Sequence, residues 1–264
     1  MDSSRQKQHY TEIHDAYEAH YYDASSMKYR SRFMYDWLFA QVDLSGANIA
    51  DLACGSGHNS LAVMERFGGV RTVGFDISDS ACRSYTRTTG NAAHVIDLTR
   101  PGQISEKFDA AIVVGGLHHC VADLRQTLLN IAGMVKPGGH LLMMEPSADF
   151  ALNVVRDKWY ASDKYFDAPT EQALSHDAIL KQAAPYFEGE AVRYFGGLAY
   201  FLILNSLIMR VPLGIKPILW PIVKPIEVAF GSIPLPSIYP RFLAIWKRTI
   251  VPVDDVSLLD KALP

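Results

Sequence analysis

Cysteine is scarce in this 264-residue chain: Cys54, Cys82 and Cys120 are an odd number at unrelated spacings. That excludes a disulfide framework and supplies no zinc-binding pattern. Nor does any grouping of His, Cys, Asp and Glu have metal-ligand spacing, so no metal is expected. Neither sign of charge dominates. The 25 Lys and Arg against 28 Asp and Glu leave a net charge of −3, which gives no electrostatic footprint for nucleic acid. The first nine residues are polar and lack an apolar core. No signal peptide is expected from them, and a cytoplasmic location is, with peripheral membrane contact left open. An apolar run long enough to span a bilayer, about 20 residues, is missing too. The charge-free run from Tyr194 to Met209 is shorter and holds Gly196, Gly197 and Asn205. There is no internal repeat. With 49% hydrophobic and 20% charged residues, the chain can bury the core of one domain and an elaboration.

What is present begins with Ile49-Ala-Asp-Leu-Ala-Cys-Gly-Ser-Gly-His58, an apolar run that ends in a glycine-rich turn. Ile49 to Ala53 has the pattern of a buried parallel strand, with Asp51 its one charged residue. Gly55 and Gly57 allow a tight turn and close approach of a ligand. Asn59 to Phe67 then has the apolar spacing of a helix, so strand, turn and helix N-terminus form a nucleotide-sized site. A dinucleotide site needs a third small residue, Gly or Ala, five after the first glycine, and Ser60 stands there. The next strand, Arg71 to Phe75, ends at Asp76, about 20 residues past the glycines, where a carboxylate accepts bonds from ribose hydroxyls. Asp51 under the turn repels a pyrophosphate and suits an ammonium group.

In these residues the sequence resembles the class I S-adenosylmethionine-dependent methyltransferases, in order from about residue 49 to 146. Asp51 to Gly57 is similar to the family's first motif, which makes Asp51, Ala53, Gly55 and Gly57 cofactor-binding. The resemblance implies that Asp76 holds the ribose and that Ile77 packs on the adenine. A third strand, His94 to Ile96, leads to Asp97 and Leu98, where the family's acid accepts from the adenine amino group. Phe108 to His119 resembles the fourth motif and places Gly115 against the cofactor. Leu128 to Val135, Lys136-Pro-Gly-Gly139 and His140 to Glu145 resemble the following helix, turn and fifth strand. The family's N-terminal helices close over the cofactor, which puts Tyr10 and Tyr21 at its methionine end. Taken singly, Asp76 also suits a helix cap, Asp97 a turn, and the tyrosines or Arg30 and Arg32 ordinary packing or a solvated face. The expected cofactor is S-adenosyl-L-methionine, and the expected fold is α/β. It is a doubly wound, mostly parallel seven-stranded sheet of the Rossmann-like methyltransferase type.

Four parts are expected along the chain. Residues 1–45 form an N-terminal helical cap, residues 46–195 the cofactor-binding core, residues 196–240 a helical apolar insertion, and residues 241–264 the last strand and tail. A helix around Asp177 to Tyr186, a strand from Ala191 to Phe195 and an antiparallel edge strand within Arg241 to Thr249 complete the core. The insertion holds seven of the 14 prolines. Its charges are Arg210, Lys216, Lys224 and Glu227. Three readings of it are open: a lid over an apolar substrate, a contact surface for a membrane or for a second copy of the chain, and additional core. The prolines break it into short pieces, which favours the lid, with Trp220 near the substrate.

Methyl transfer from a sulfonium asks for alignment and exclusion of water, and an oxygen nucleophile also needs a base. His118 and His119 follow the fourth strand, whose carboxyl end is where such sheets place their ligands, and are the candidates. Helix capping and packing is the competing role for both. Glu145, ending the fifth strand, is the candidate for contacting the acceptor. The Asn/Asp-Pro-Pro-Tyr/Phe motif of relatives that methylate base or amide nitrogens is missing after strand four. The expected reaction is O-methylation, in a biosynthetic setting, of a small, largely apolar acceptor (natural-product, quinone-like or lipid-linked). Two other classes stay open: a fold relative that binds the cofactor but performs another reaction such as a cyclisation, and a non-catalytic partner-binding protein.

Overall fold

A computed structural model describes residues 18–102, 104–161 and 172–253. Seven strands form one sheet in the order β3-β2-β1-β4-β5-β7-β6. They are β1 (Asn48–Leu52), β2 (Arg71–Asp76), β3 (Ala93–Val95), β4 (Phe108–Val114), β5 (Val135–Pro146), β6 (Phe187–Phe195) and β7 (Arg241–Arg248). β1 to β5 pair in parallel, and β7 lies antiparallel between β5 and β6. The expected doubly wound, seven-stranded sheet is therefore present. The ends of β1, β2, β4 and β5 share one edge, and Arg241, opposite Pro146 and Phe195, starts β7 there. A register shift after Phe108 admits the Lys136 to Gly139 turn, with Gly138 at φ +80°.

Alternation along the strands builds a core on each face. Leu52, Val113, Phe242 and Trp246 pack on one side with Leu128 and Ile131 of α4 (Leu124–Met134) and Ile179 of α6 (His176–Ala183). Ile49, Ile112, Leu243 and Ile245 face the other side. There they meet Tyr29 of α1 (Ala24–Arg30), Phe33 of the π turn that continues it, and Val63 of α2 (His58–Arg66). Asp23 caps α1 by accepting from the Ser25 and Ser26 amides. α3 (Asp79–Thr89) follows β2, and α5 (Asn153–Ala161) follows β5.

The insertion after β6 leaves from the sheet's carboxyl edge. It forms a π turn at Tyr200–Leu204, a 3₁₀ turn at Leu213–Ile215 and then α7 (Lys216–Phe230). Tyr200, Ile203, Leu204, Leu207 and Val223 join the second core. Trp220 packs edge-on against Tyr29 and Phe33, with centroids 6.4 and 6.3 Å apart. Among the described residues, none from 196 to 240 lines the cofactor cleft. The segment's large side chains extend the core over α1, and Trp220 is held among them.

Candidate active site

A cleft opens at the carboxyl edge between the ends of β1, β2, β3 and β4. The first turn contributes Ala53 and Gly55, the end of β2 Asp76, Ile77 and Ser78, and the end of β3 Ile96, Asp97 and Leu98. Gly115, Gly116 and His119 close it from β4, and Glu18 and Tyr22 from the N-terminal segment. Gly55 has φ +51°, and a Cβ built on it meets nothing within 4 Å, so the backbone itself faces open space. Asp76 supports that turn. Its two oxygens accept from the Gly55 amide at 3.1 Å and the Ser78 amide at 2.8 Å. Asp97 accepts from the Thr99 amide at 3.0 Å and its hydroxyl at 2.6 Å.

Two first-motif residues lie behind this wall. Asp51 is fully buried and accepts from the Ser60 hydroxyl at 2.7 Å. Its Oδ1 has no hydrogen-bond partner, and burial, opposed by Ser60, pushes its carboxyl up to about 7. Gly57, at φ +85°, is needed for packing: a Cβ there lies 2.5 Å from Thr89 and 2.9 Å from Tyr85. Neither residue is among those lining the cleft. Tyr21 is not among them either. Its hydroxyl donates to Asn205 at 2.6 Å, while its neighbour Tyr22 lines the cleft and stacks on His58 at 4.0 Å. Arg30 is buried, with its Nε donating to the Tyr21 carbonyl, and Arg32 is exposed beside Asp36. Tyr10 lies outside the described residues.

Beyond β4, a single 3₁₀ turn at Leu117–His119 sends the two histidines in different directions. His119 lines the cleft. His118 is buried, and its Nδ1 donates to Glu145 at 2.7 Å. Burial, with the nearby charges of Arg241 and Arg156, holds the His118 ring well below its ordinary pKa and so neutral. Glu145 is fully buried and also accepts from the amides of Gly116, Leu117 and His118 at 3.0, 2.8 and 3.3 Å. Burial pushes its carboxyl up to about 7 against those amides. With its oxygens occupied in this way, Glu145 is not among the residues lining the cleft. It acts as a clamp on the β4 loop. Glu145→Ala leaves three buried amides and the His118 ring without their acceptor. It is expected to lower stability by about 3–5 kcal/mol, read from denaturant midpoints.

An acidic residue ending β2, apolar walls and a glycine whose missing side chain leaves room together suit an adenosine moiety. The fold is that of the class I S-adenosylmethionine-dependent methyltransferases. Residues 50–141 match the family model described as a methyltransferase domain. The chain is 32% identical over 139 residues to ribosomal protein L11 methyltransferase from Aliivibrio salmonicida, a match covering 52% of this chain and 45% of that one. The chain thus spans about half the length of the curated relatives it matches. Among solved structures, magnesium protoporphyrin IX methyltransferase from Synechocystis PCC 6803, with bound SAH, superimposes with a TM-score of 0.62 at 14% identity. That superposition covers 94% of this chain and 100% of the other. The cyclase SpnF superimposes with a TM-score of 0.57 at 16% identity, covering 83% and 81%. These likenesses are of fold.

Proposed function

We propose that the protein transfers a methyl group from S-adenosylmethionine to a hydroxyl of a small, largely apolar acceptor, with His119 as the base. The observation that carries this is the division between the two histidines: His119 lines the cofactor cleft, whereas His118 is tied to Glu145. When bound, the cofactor supplies an activated sulfonium methyl. The chain's own part is to hold the reactants in line, exclude water and receive a proton. Asp76 and Asp97 offer acceptors for the ribose and adenine, and Ile77, Ile96 and Leu98 supply apolar walls. His119 takes the acceptor's hydroxyl proton on a ring nitrogen, while the Glu145 clamp fixes the loop that carries it.

Two other readings have specific support. The relatives named for ribosomal protein L11 favour a protein acceptor, and the fold shared with SpnF favours a cyclisation. One experiment separates the three: methyl-labelled cofactor is incubated with the protein and a whole-cell extract, and the labelled products are resolved by mass spectrometry. Label in an apolar small molecule supports the proposal. Label in a protein overturns the acceptor class, and cofactor binding with no transfer points to another reaction. With the acceptor in hand, His119→Ala should lower turnover by about 10²–10⁴-fold and remove a titration step, with affinity for S-adenosylhomocysteine unchanged. Full turnover in that variant would leave alignment alone as the mechanism.

A further inference from the structure

α7 is built inside out. Its two acidic and basic inner residues, Lys216 and Glu227, are 0% and 3% exposed, whereas Ile218, Ile222 and Ile226 are 66%, 59% and 46% exposed. The Lys216 ammonium donates to the His20 carbonyl at 2.8 Å and the Ser26 hydroxyl at 2.7 Å, and it pairs with Asp23. Glu227 accepts from the Tyr29 hydroxyl at 2.7 Å and from the Gly197 and Ala199 amides, each at 2.8 Å. These bonds fix which face of the helix is inward, so the apolar outer face is not a matter of loose docking. Ile233 and Leu235, 42% and 50% exposed, extend it. The Ala151 amide donates to the Ser237 carbonyl, which brings the start of α5 alongside, with Leu152, Val154, Val155 and Trp159 all exposed.

We infer that this face docks on a lipid bilayer, seating the carboxyl edge of the sheet at the membrane surface. Three observations favour lipid over a second copy of the chain. Between Val211 and Pro240 the exposed charge is Lys224 alone, so the face lacks the polar rim through which protein partners are specified. Lys224, Lys28 on α1, and Lys158 beside Trp159 are all exposed, with Asp149 and Asp157 the exposed acids around the start of α5. That balance suits anionic headgroups, in a chain of net charge −3. Pro221 and Pro225 inside the helix remove two amide donors and leave carbonyls for water or headgroups to satisfy. Such a helix lies at the interface and does not enter the hydrocarbon, and no described helix is long and apolar enough to cross a membrane. If methyl transfer is the reaction, the acceptor enters the cleft from the lipid phase. That last step rests on the proposed function, and the docking does not.

Sedimentation of the full chain with vesicles tests the docking without any acceptor. The wild-type protein should pellet with vesicles of phosphatidylcholine and phosphatidylglycerol, and less with phosphatidylcholine alone. I218E, I222E and I226E combined should lower the bound fraction about tenfold or more. Unchanged S-adenosylhomocysteine binding by calorimetry would verify that the combined variant is folded. K28A and K224A should reduce binding to the anionic vesicles only. Wild-type protein remaining in the supernatant with both vesicle types would overturn the inference, as would pelleting of the triple variant at the wild-type level. So would a wild-type dimer in light scattering that the triple variant dissociates without any vesicle binding by either. Failure of calorimetric cofactor binding would instead sink the methyl-transfer reading and leave the vesicle result standing.

Discussion

Asp76→Ala is expected to weaken S-adenosylhomocysteine binding on the order of a hundredfold, about 3 kcal/mol. Two losses combine. The ribose hydroxyls lose a charged acceptor, and the Gly55 amide, which Asp76 holds at 3.1 Å, loses the bond that shapes the turn. Asp76→Asn keeps one oxygen for the turn and should retain more affinity than the alanine variant. Calorimetry checks both. An alanine variant binding within threefold of wild type, or a wild-type protein that prefers NAD, would refute the assignment of this carboxylate.

A second large effect concerns Asp51 and pH. Burial raises its carboxyl from 3.8 in the unfolded chain to about 7 in the fold. A raised acid binds its proton more tightly when folded, so its contribution is fully present below pH 3.8. It is lost as pH rises towards 7 and is absent above that. The integrated cost is on the order of 4 kcal/mol. Asp51→Asn carries no such titration. Its stability relative to wild type should therefore improve by about 3 kcal/mol between pH 5 and 8, read as the difference between two urea denaturation series. A difference that does not change with pH would show that Asp51 is ionised throughout.

How much of this was legible before the fold was known follows from what each signal depends on. β1, its turn and α2 came from local pattern: an apolar run, two glycines and helical spacing within twenty residues. Asp76 and Asp97 followed because strand ends converge on one edge whenever a sheet is parallel. The neighbouring pairs were not resolvable. Tyr21 and Tyr22, like His118 and His119, are adjacent in the chain but turn to different sides, and a one-residue choice depends on tertiary packing. The clamp made by Glu145 was not legible, because a carboxylate at a strand end looks open. Its oxygens are filled by amides of a loop nearly thirty residues away in sequence, which no local pattern announces. α7 had its signal on the page: Lys216 and Glu227 are eleven residues apart, three helical turns, and so share a face. Composition does not show which way that face turns, because the partners that take it inside (Tyr29, Asp23 and Ser26) lie almost two hundred residues earlier.

The same partners give the molecule a lever. Tyr22, in the cleft wall, stands between Tyr21, bonded to Asn205, and Asp23, paired with Lys216. The wall segment that meets the ligand is thus strapped on both sides to the stretch carrying the outward isoleucines. If gripping the outer helix changes the affinity of the cleft, then by reciprocity a filled cleft changes that grip by the same factor.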